Sequence, residues 1–494
     1  MPDLHHAYLL AAATTRFGRH EGRSALDLMA EAANAALAQS GLRRADIDGV
    51  LCGYATTFPH LMLATLLSEK LGLDPHYAHG MQMGGATGAA MVMLARELVR
   101  AGRCRRVLVV AGENRLTGQA VDASIQTLAQ VGEADTEVPN GASVPAYYAL
   151  LASAYMHQTG TRREDLAELA ALMRRHAASH PHAHLSEAIG VDQVLASRPI
   201  ATPLHLLDCC PISDGAVALV VGADDGPVRI SGAGQAHRHQ HLSALRDILD
   251  TGAARALGQA YADAGIGPDQ VDYLGIYDSF TITLAMLLEE LASRRARRGG
   301  SRAARRLRRR RAAAAQHPWG PAVVRAFRRG RRHGARGRGL DAVGGSGRIT
   351  AGRRAALRAG ACGRRRAVRP RQSGAAGGGP SMNTRDPLEL QRCEDCGAWW
   401  ALRPYACAHC GGSNLPWRRS SGAGVVLART EIHRAPDAFW RARVPYVLVL
   451  VRLEEGAVLM GHADAGIAIG QQVMGRAITI DGRALLGFEA RRPP

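Results

Sequence analysis

Residues 293–380 constrain the interpretation of the whole chain, because arginine, alanine and glycine dominate them. The segment holds 27 arginines, one acidic residue (Asp341) and no lysine. Its formal charge is +26, whereas the chain of 494 residues carries +19. The 35 basic and 42 acidic residues outside the segment leave the rest at −7. The basic character therefore belongs to one segment, and the sequences on either side must supply the folded cores.

Two interpretations of this arginine-rich segment remain open. Like charges repel and guanidinium groups neutralise phosphates, so such a tract can be a disordered nucleic-acid-binding tail. A GC-rich coding sequence read out of frame yields the same composition. A shift of one base permits Asn-Thr-His-Gly-Gly-Leu-Leu-Ser-Phe-Gly-His-Ser-Gly for residues 316–328 and His-Ala-Asp-Gly-Gly-Val-Leu-Ser for residues 361–368. We favour the frameshift, because one shift produces both phrases.

The flanking sequences predict a cytoplasmic protein of two or three domains. Residues 1–30 show no basic start followed by an apolar core. No apolar run approaches the ~20 residues that cross a bilayer. Four of the nine cysteines are clustered in a metal-like spacing, so we expect no disulfide framework.

Helical and strand-like patterns alternate along the first 290 residues. Residues 24–40 predict an amphipathic helix that ends at Gly41, and residues 84–99 predict an alanine-rich helix. Residues 47–51 and 107–110 predict buried strands. This βα alternation predicts a mostly parallel sheet covered by helices.

A short pattern occurs twice in the chain. The same spacing from glycine to aspartate appears in residues 41–48 and 265–272, each time with a helix before and a strand after. The repeat indicates an internally duplicated α/β fold. The alternative is that two short helix-to-strand connections merely look alike.

These residues lead to a family resemblance. Residues 5–292 resemble the sterol-carrier-type branch of the thiolase superfamily, also called lipid-transfer-protein thiolases. The resemblance implies a duplicated, five-layered α-β-α-β-α fold, a homodimer or hetero-oligomer, and acyl-coenzyme A thioesters as substrates. The matching phrases, in chain order, are residues 41–49, 106–113, 176–183, 203–209, 213–216 and 277–281.

The chain departs from this family at the nucleophile. Claisen-type thiolases use a cysteine at a helix N-terminus, where the amide dipoles favour the thiolate. In the corresponding phrase of this chain Gly85 takes that position, and a glycine forms no acyl-enzyme. The other cysteines of this region lie outside such a phrase, and we expect them to be small buried residues: Cys52, Cys104, Cys209 and Cys210.

A second departure lies at Tyr277 and Asp278. The family commonly has His-Asp-Cys-Phe where this chain has Tyr-Asp-Ser-Phe. A tyrosine can exchange a proton during carbon–carbon cleavage without a covalent intermediate. The missing cysteine and this tyrosine together resemble the steroid side-chain aldolases of the same branch, so we predict Tyr277 and Asp278 as catalytic residues. Alternatively, Tyr277 packs under a loop and Asp278 caps the following helix.

The out-of-frame phrases resemble the glycine- and histidine-rich loops that close thiolase active sites. In the family, the histidine of the Gly-His phrase helps to bind the thioester oxygen, and Ala326 stands in its place here. A chain made as written would lack the last strands and helices of the second half. We therefore expect it to be inactive or unstable.

Two cysteine pairs near the C-terminus predict a metal site. Cys393 and Cys396 are separated by ten residues from Cys407 and Cys410. Each Cys-x-x-Cys turn can direct two thiolates at one tetrahedral ion, so the four cysteines predict a structural zinc ribbon. His409 lies between Cys407 and Cys410, but the four cysteines already provide all the ligands that a tetrahedral site requires.

The strand-like runs after the ribbon predict a small β-barrel. They cover residues 424–432, 445–453, 457–462 and 472–480. Ribbon and barrel together resemble the acyl-CoA-associated OB-fold proteins encoded beside thiolase-like genes. An OB-fold can also bind single-stranded nucleic acid by aromatic stacking, but this barrel has few aromatic residues and mixed charge.

Met382 resembles the start of a separate protein, so the two parts would ordinarily be subunits of one complex. We expect five regions: residues 1–245 (first thiolase-like half), 246–292 (start of the second half), 293–381 (frameshifted and disordered), 382–418 (zinc ribbon) and 419–494 (barrel).

The leading functional hypothesis is a retro-aldol cleavage of a β-hydroxyacyl-CoA in lipid or steroid side-chain degradation. The alternatives are an acyl-CoA acyltransferase, a non-catalytic acyl-CoA or lipid-binding protein, and a nucleic-acid-binding protein.

Overall fold

The computed structural model describes residues 6–245, 247–298 and 386–491. Most of the arginine-rich segment, with Ala326, and the residue Met382 lie outside the described residues, so the predictions made for them stay predictions. Among the helices of the described ranges, none is both long and apolar enough to span a membrane.

The N-terminal part is built on a six-stranded mixed sheet. β2 pairs in parallel with β3 and β4, whereas β7 runs antiparallel to β4 and to β1, and β8 runs antiparallel to β1. The prediction of a mostly parallel sheet is therefore wrong, because β7 returns through the middle of the sheet in the opposite direction. The order is β3-β2-β4-β7-β1-β8, with bounds β1 Tyr8–Thr14, β2 Gly49–Gly53, β3 Tyr77–Met81, β4 Arg106–Glu113, β7 Gly215–Gly222 and β8 Val228–Arg229.

Helices cover this sheet as the periodicity predicts. Ser24 caps α1 in a capping box with Asp27, and Gly41 ends the helix with a left-handed φ of 69°. The apolar face of α1 is fully buried against the sheet, which explains why residues 24–40 carry a helical pattern. The bounds are α1 Ala25–Ser40, α2 Leu63–Leu71, α3 Thr87–Arg100, α4 Val121–Ala129, α5 Val144–Thr159, α6 Arg163–Ala177 and α7 Val191–Ala196.

The predicted repeat is visible as two matching helical units. A short 3₁₀ helix follows α1 at Arg44–Asp46, and another follows α8 (Ala253–Ala264) at Pro268–Gln270. Gly265 ends α8 with the same φ of 69° as Gly41. The run after Asp272, predicted as the second strand, forms no strand up to residue 278. A strand needs hydrogen-bonded neighbours, and no sheet of the described residues includes this segment, which leads into α9 (Thr281–Arg298).

The C-terminal part consists of a ribbon and a closed barrel. The ribbon is a three-stranded antiparallel sheet of β9 (Glu389–Arg392), β10 (Trp399–Trp400) and β11 (Trp417–Arg419). Five strands then close in the order β12-β13-β14-β16-β15-β12, which confirms the predicted barrel. The bounds are β12 Ala423–Ile432, α10 Ala438–Arg441, β13 Tyr446–Leu453, β14 Val458–Ala463, β15 Gln472–Ile480 and β16 Arg483–Ala490.

The barrel docks on the N-terminal part through β12. Ile432 pairs with Ala201 of β5 (Pro199–Ala201), which continues the sheet to β6 (Leu204–His205). The Arg429 backbone N–H donates to Ser153 Oγ of α5 at 3.1 Å. Apolar residues of α5, α9 and strands β12 to β14 share one core. The helix α5 therefore lies between the barrel and the rest of the N-terminal part.

Candidate active site and metal centre

The candidate active site lies where β2, β3 and β4 end. These strands are parallel, so the segments that follow them meet at one edge of the sheet. Tyr54 follows β2, and its N–H donates to the Met81 carbonyl at the end of β3 at 3.1 Å. Gly85 follows β3, and Arg115 follows β4. The edge thus collects an aromatic residue, a helix start and a cation.

The turn before α3 brings its backbone close to this edge. Thr87 Oγ1 donates to the Gly84 carbonyl at 2.7 Å and accepts from the Met83 N–H at 2.9 Å. Gly84 has a φ of 57°, which suits a residue without a side chain. Gly85 therefore stands at the N-terminal end of α3, where the resemblance places the nucleophile.

Tyr277 fills the space that a side chain at Gly85 would need. A Cβ atom built on Gly85 would lie 2.9 Å from Cε1 and 3.5 Å from Cδ1 of the Tyr277 ring. Contacts below 3.0 Å are essentially absent between real Cβ atoms and their neighbours. The glycine and the tyrosine are therefore complementary, and a cysteine at residue 85 would displace the ring.

The segment that carries Tyr277 is fixed by the residues after it. The ring of Phe280 stacks on Tyr148 of α5 at 4.3 Å between centroids. The Cys210 N–H donates to the Ser279 carbonyl at 3.0 Å. Thr281 Oγ1 donates to the buried Asp208 carboxylate at 3.0 Å. These contacts hold residues 277–281 against residues 208–210, with α5 on the other side.

Burial favours the neutral forms of the two predicted catalytic groups. It raises the pKa of Tyr277 well above its ordinary value of 10, and the nearby Cys210 and Tyr148 act in the same direction. Burial also raises the pKa of Asp278 above its ordinary value of 3.8, against a hydrogen bond from its own backbone N–H. Tyr277 is therefore a neutral phenol, and burial makes the Asp278 carboxylate a better proton acceptor than an exposed one.

The four cysteines of this part are not activated thiols. Burial raises the pKa of Cys52 and Cys209 to about 12 and that of Cys104 and Cys210 to about 11. Cys52 and Cys104 are buried as predicted, whereas Cys209 is half-buried and Cys210 is exposed. The prediction for Cys210 is therefore wrong. Cys210 lies close enough to Tyr277 to help raise the pKa of that phenol.

A polar network at the end of β4 was not predicted from the sequence. The Glu113 carboxylate accepts from the N–H and hydroxyl groups of both Thr56 and Thr57. Arg115 donates from Nη2 to Thr56 Oγ1 at 2.8 Å and to Glu113 at 3.2 Å. These hydrogen bonds lower the pKa of Glu113 against the opposing effect of burial. The available signal was an acid and an arginine directly after a buried strand.

The four predicted metal ligands converge in the ribbon. The sulfur atoms of Cys393, Cys396, Cys407 and Cys410 all lie within 4.8 Å of one another. Cys393 and Cys410 are 3.6 Å apart, and Cys396 and Cys407 are 3.5 Å apart. A tetrahedral site with metal–sulfur bonds of about 2.3 Å needs sulfur separations of about 3.8 Å, so the cluster fits one zinc-sized ion.

The two knuckles of the ribbon have matching backbones. Gly397 and Gly411 follow the pairs with φ of 74° and 80°, and each donates its N–H at 2.8 Å to the carbonyl of the first cysteine of its pair. His409 is not part of the cluster and instead packs edge-on against Trp400 at 5.4 Å.

Comparison with known protein families gives matches for the N-terminal part and for the barrel. Residues 7–225 match the N-terminal domain of thiolase, and residues 234–313 match a thiolase C-terminal domain-like family. Residues 417–476 match the C-terminal OB-fold domain of ChsH2. The two thiolase matches follow each other as the predicted duplication requires.

Individual relatives support the same assignment. The chain is 32% identical over 308 residues to a 17-hydroxy-3-oxo-4-pregnene-20-carboxyl-CoA lyase from Mycobacterium tuberculosis, covering 58% of this chain and 78% of the relative. It is 30% identical over 290 residues to an acetyl-CoA acetyltransferase from Methanocaldococcus jannaschii, covering 56% and 73%. A monomeric SCP2-thiolase-like protein type 1 from Mycobacterium smegmatis shares the fold at a TM-score of 0.57 and 15% identity, covering 97% of this chain and 98% of that one. The chain therefore belongs to the thiolase superfamily.

Proposed function

We propose that this protein is a carbon–carbon lyase that cleaves a β-hydroxyacyl-CoA by a retro-aldol reaction. The observation that carries the proposal is the Tyr277 ring in the side-chain space of Gly85. A proton-exchanging group thus occupies the place of the nucleophile. Lyases and acyltransferases both occur among the relatives, and the tyrosine favours the lyase. A lipid or steroid side chain is the proposed acyl class.

The reaction needs one proton relay and no covalent intermediate. Tyr277 takes the proton of the substrate β-hydroxyl as its own phenolic proton passes to Asp278. The O–H electron pair forms the new carbonyl while the Cα–Cβ bond breaks, and the electrons of that bond form the thioester enolate. Protonation of the enolate carbon, with Asp278 returning its proton, releases the shortened acyl-CoA. The raised pKa of Tyr277 keeps it a neutral phenol that can relay a proton, and the raised pKa of Asp278 makes its carboxylate a better proton acceptor.

Two alternative functions are an acyl-CoA acyltransferase and a non-catalytic acyl-CoA-binding protein. An acyltransferase needs a low-pKa thiol, and all four cysteines described in the N-terminal part have raised pKa values. A non-catalytic acyl-CoA-binding protein is the second candidate. It is favoured by the residues after Asp272, which were predicted as a strand and form none up to residue 278.

The test is turnover of a β-hydroxyacyl-CoA by the full chain, with products identified by mass. We expect a ketone or aldehyde and a shortened acyl-CoA, and a loss of kcat of at least about a hundredfold in Tyr277→Phe and Asp278→Asn. Tyr273→Phe is the matched control, because Tyr273 lies in the same segment with 71% of its surface exposed. Binding of the CoA ester without cleavage, by both this chain and a frame-corrected chain, would favour the second candidate.

We also propose that the ribbon binds one structural zinc ion through Cys393, Cys396, Cys407 and Cys410. Zinc would hold the two knuckles together, and no catalytic step depends on it. Metal analysis should give one zinc per chain, and Cys396→Ser should release it, whereas Cys104→Ser should not. Because thiolates must stay reduced to bind zinc, we propose a cytoplasmic location. We further propose a dimer or hetero-oligomer through the thiolase-like part, which light scattering tests.

A further inference from the structure

Arg115 is held in a fixed position at the edge of the candidate site. Its Nε and Nη2 atoms donate to Thr56 Oγ1 at 3.2 and 2.8 Å, and Nη2 also donates to Glu113. Only 17% of the side chain is exposed. Thr56 follows β2 and Arg115 follows β4, so the tether joins two neighbouring strand ends. A side chain anchored on two elements loses little further freedom when it binds a ligand.

The anchoring acid remains charged, so the ion pair is durable. Glu113 accepts four hydrogen bonds from Thr56 and Thr57 in addition to the Arg115 contact. These donors, together with the Arg115 charge, lower its pKa. Neutral donors thus offset much of the negative charge of Glu113. The positive charge of the Arg115 guanidinium is therefore only partly neutralised by this carboxylate.

One nitrogen of this guanidinium has no hydrogen-bond partner among the described residues. Within the described residues, Nε and Nη2 make all the hydrogen bonds of Arg115, which leaves Nη1 for a bound oxygen. Leu116 donates its N–H to Asp214 at 2.7 Å, which ties the end of β4 to the loop that carries Cys210. The Arg115 charge reaches the exposed Cys210 thiol, and the same thiol affects Tyr277. Leu116 and Ser279 thus contact the same loop, residues 210–214, which brings the segments of Arg115 and Tyr277 together.

We propose that Arg115 binds the thioester oxygen of the acyl-CoA substrate and stabilises the negative charge that this oxygen gains in the enolate. A fixed cation in a partly buried site stabilises such a charge without rearranging. A guanidinium suits the role because it stays protonated and offers directed donors. This inference rests on the proposed lyase function for its reaction, but oxygen binding can be tested without turnover.

The probe is acetoacetyl-CoA, whose enolate absorbs in the near ultraviolet where the keto form does not. The full chain should raise the enolate fraction of the bound ester at constant pH, as a difference spectrum measures. Arg115→Gln should lower this fraction by about tenfold or more, the loss of one charge-assisted hydrogen bond. Arg115→Lys should retain part of the effect, and Thr56→Val, which loosens the tether but keeps the charge, should give an intermediate value.

The control is Arg105→Gln, because Arg105 lies just before β4, at the opposite end from the site, and pairs with Asp224. Its enolate fraction should equal that of the parent chain. An unchanged enolate fraction in Arg115→Gln would overturn the inference, and so would an equal loss of free coenzyme A binding, since that marks a structural role. If Arg115→Gln does not fold, the enolate fractions of Arg115→Lys and Thr56→Val are compared with that of the parent chain. Fractions equal to the parent value in both variants would overturn the inference. A chain that shifts the enolate without cleaving any β-hydroxyacyl-CoA would contradict the proposed function and leave this inference standing.

Discussion

The ring of Tyr277 lies so close to Gly85 that a Cβ atom on the glycine would come within 2.9 Å of ring atom Cε1. The two residues are 192 positions apart in the sequence, and neither is unusual alone. Together they replace a cysteine side chain by a phenol at the start of α3. The missing nucleophile and the tyrosine are therefore one structural change.

Gly85→Ala should displace the Tyr277 ring and lower kcat. The added methyl overpacks the contact, which costs about 1–3 kcal/mol and corresponds to roughly tenfold or more in rate if the ring moves. Gly88→Ala is the matched control, because Gly88 lies three residues later, within α3, and its Cβ would meet nothing within 4 Å. Steady-state kinetics of both variants test this, and equal activities would contradict the close contact.

Cys210 should react slowly with iodoacetamide although it is exposed. Its pKa of about 11 lies two units above the ordinary thiol value of 9.0, so its thiolate fraction near neutral pH is about a hundredfold lower. The rate should rise about tenfold per pH unit below pH 11, and Cys210→Ser should keep its activity. Peptide mapping measures both. Fast labelling at neutral pH that acyl-CoA prevents would instead identify an acyltransferase nucleophile.

Gly141→Ala should destabilise the docking of the barrel. A Cβ there would lie 2.5 Å from the ring of the buried Trp440, and Tyr446 donates its hydroxyl to the Gly141 carbonyl at 2.7 Å. Gly160→Ala is the control, because φ is 77° and 74° at the two glycines but the space around Gly160 is open. Backbone strain is thus shared, and the overpacking alone should cost about 1–3 kcal/mol.

Thermal unfolding of the two glycine variants measures that difference. We expect the lower midpoint in Gly141→Ala. Equal midpoints would show that overpacking against Trp440 does not change the thermal stability of the full chain. Because α5 carries Tyr148 on the side of the active site and contacts β12 through Ser153, Gly141→Ala should also lower activity.

The sequence predicted those features that depend on local spacing. The zinc ribbon followed from two Cys-x-x-Cys pairs, and the barrel followed from short strands between turns. The fifth strand, β16, was not predicted. Helix α1 followed from its apolar period and from Gly41 as the residue that ends it. In each case the residues that determine the element lie within one or two turns of each other.

Features that depend on tertiary contact could not be predicted. The reversed direction of β7, the exposure of Cys210 and the tethering of Arg115 all depend on which segments meet at the edge of the sheet. The contact between Gly85 and Tyr277 joins two residues that are far apart in the sequence, so the sequence alone did not reveal it. The strand expected after Asp272 does not form, because no strand of the described residues pairs with it.

The buried His462 should make the barrel sensitive to acid. Burial lowers its pKa from 6.5 to about 4, and its ring stacks on Trp440 at 4.8 Å. The folded state therefore binds fewer protons than the unfolded state between these values. Stability is full above pH 6.5 and falls as the pH drops toward 4, by about 2 kcal/mol at pH 5.

His462→Phe keeps a ring against Trp440 and removes the titrating group. Urea unfolding at pH 5 and at pH 7 should therefore show a smaller difference in the variant than in the parent chain. A pH dependence that is the same in both proteins would show that His462 is not the group responsible.

The most direct test of the central claim is cleavage of a β-hydroxyacyl-CoA with no free coenzyme A added. A lyase that uses Tyr277 in place of a cysteine needs no second thiol, so the chain should release a ketone or aldehyde and a shortened acyl-CoA, and its mass after quenching should show no acyl adduct. Because we interpret the arginine-rich segment as a frameshift, a frame-corrected chain is run beside the chain as written, and we expect the corrected chain to be the more active. Cleavage that requires added coenzyme A, with an acyl group on a cysteine, would contradict the claim.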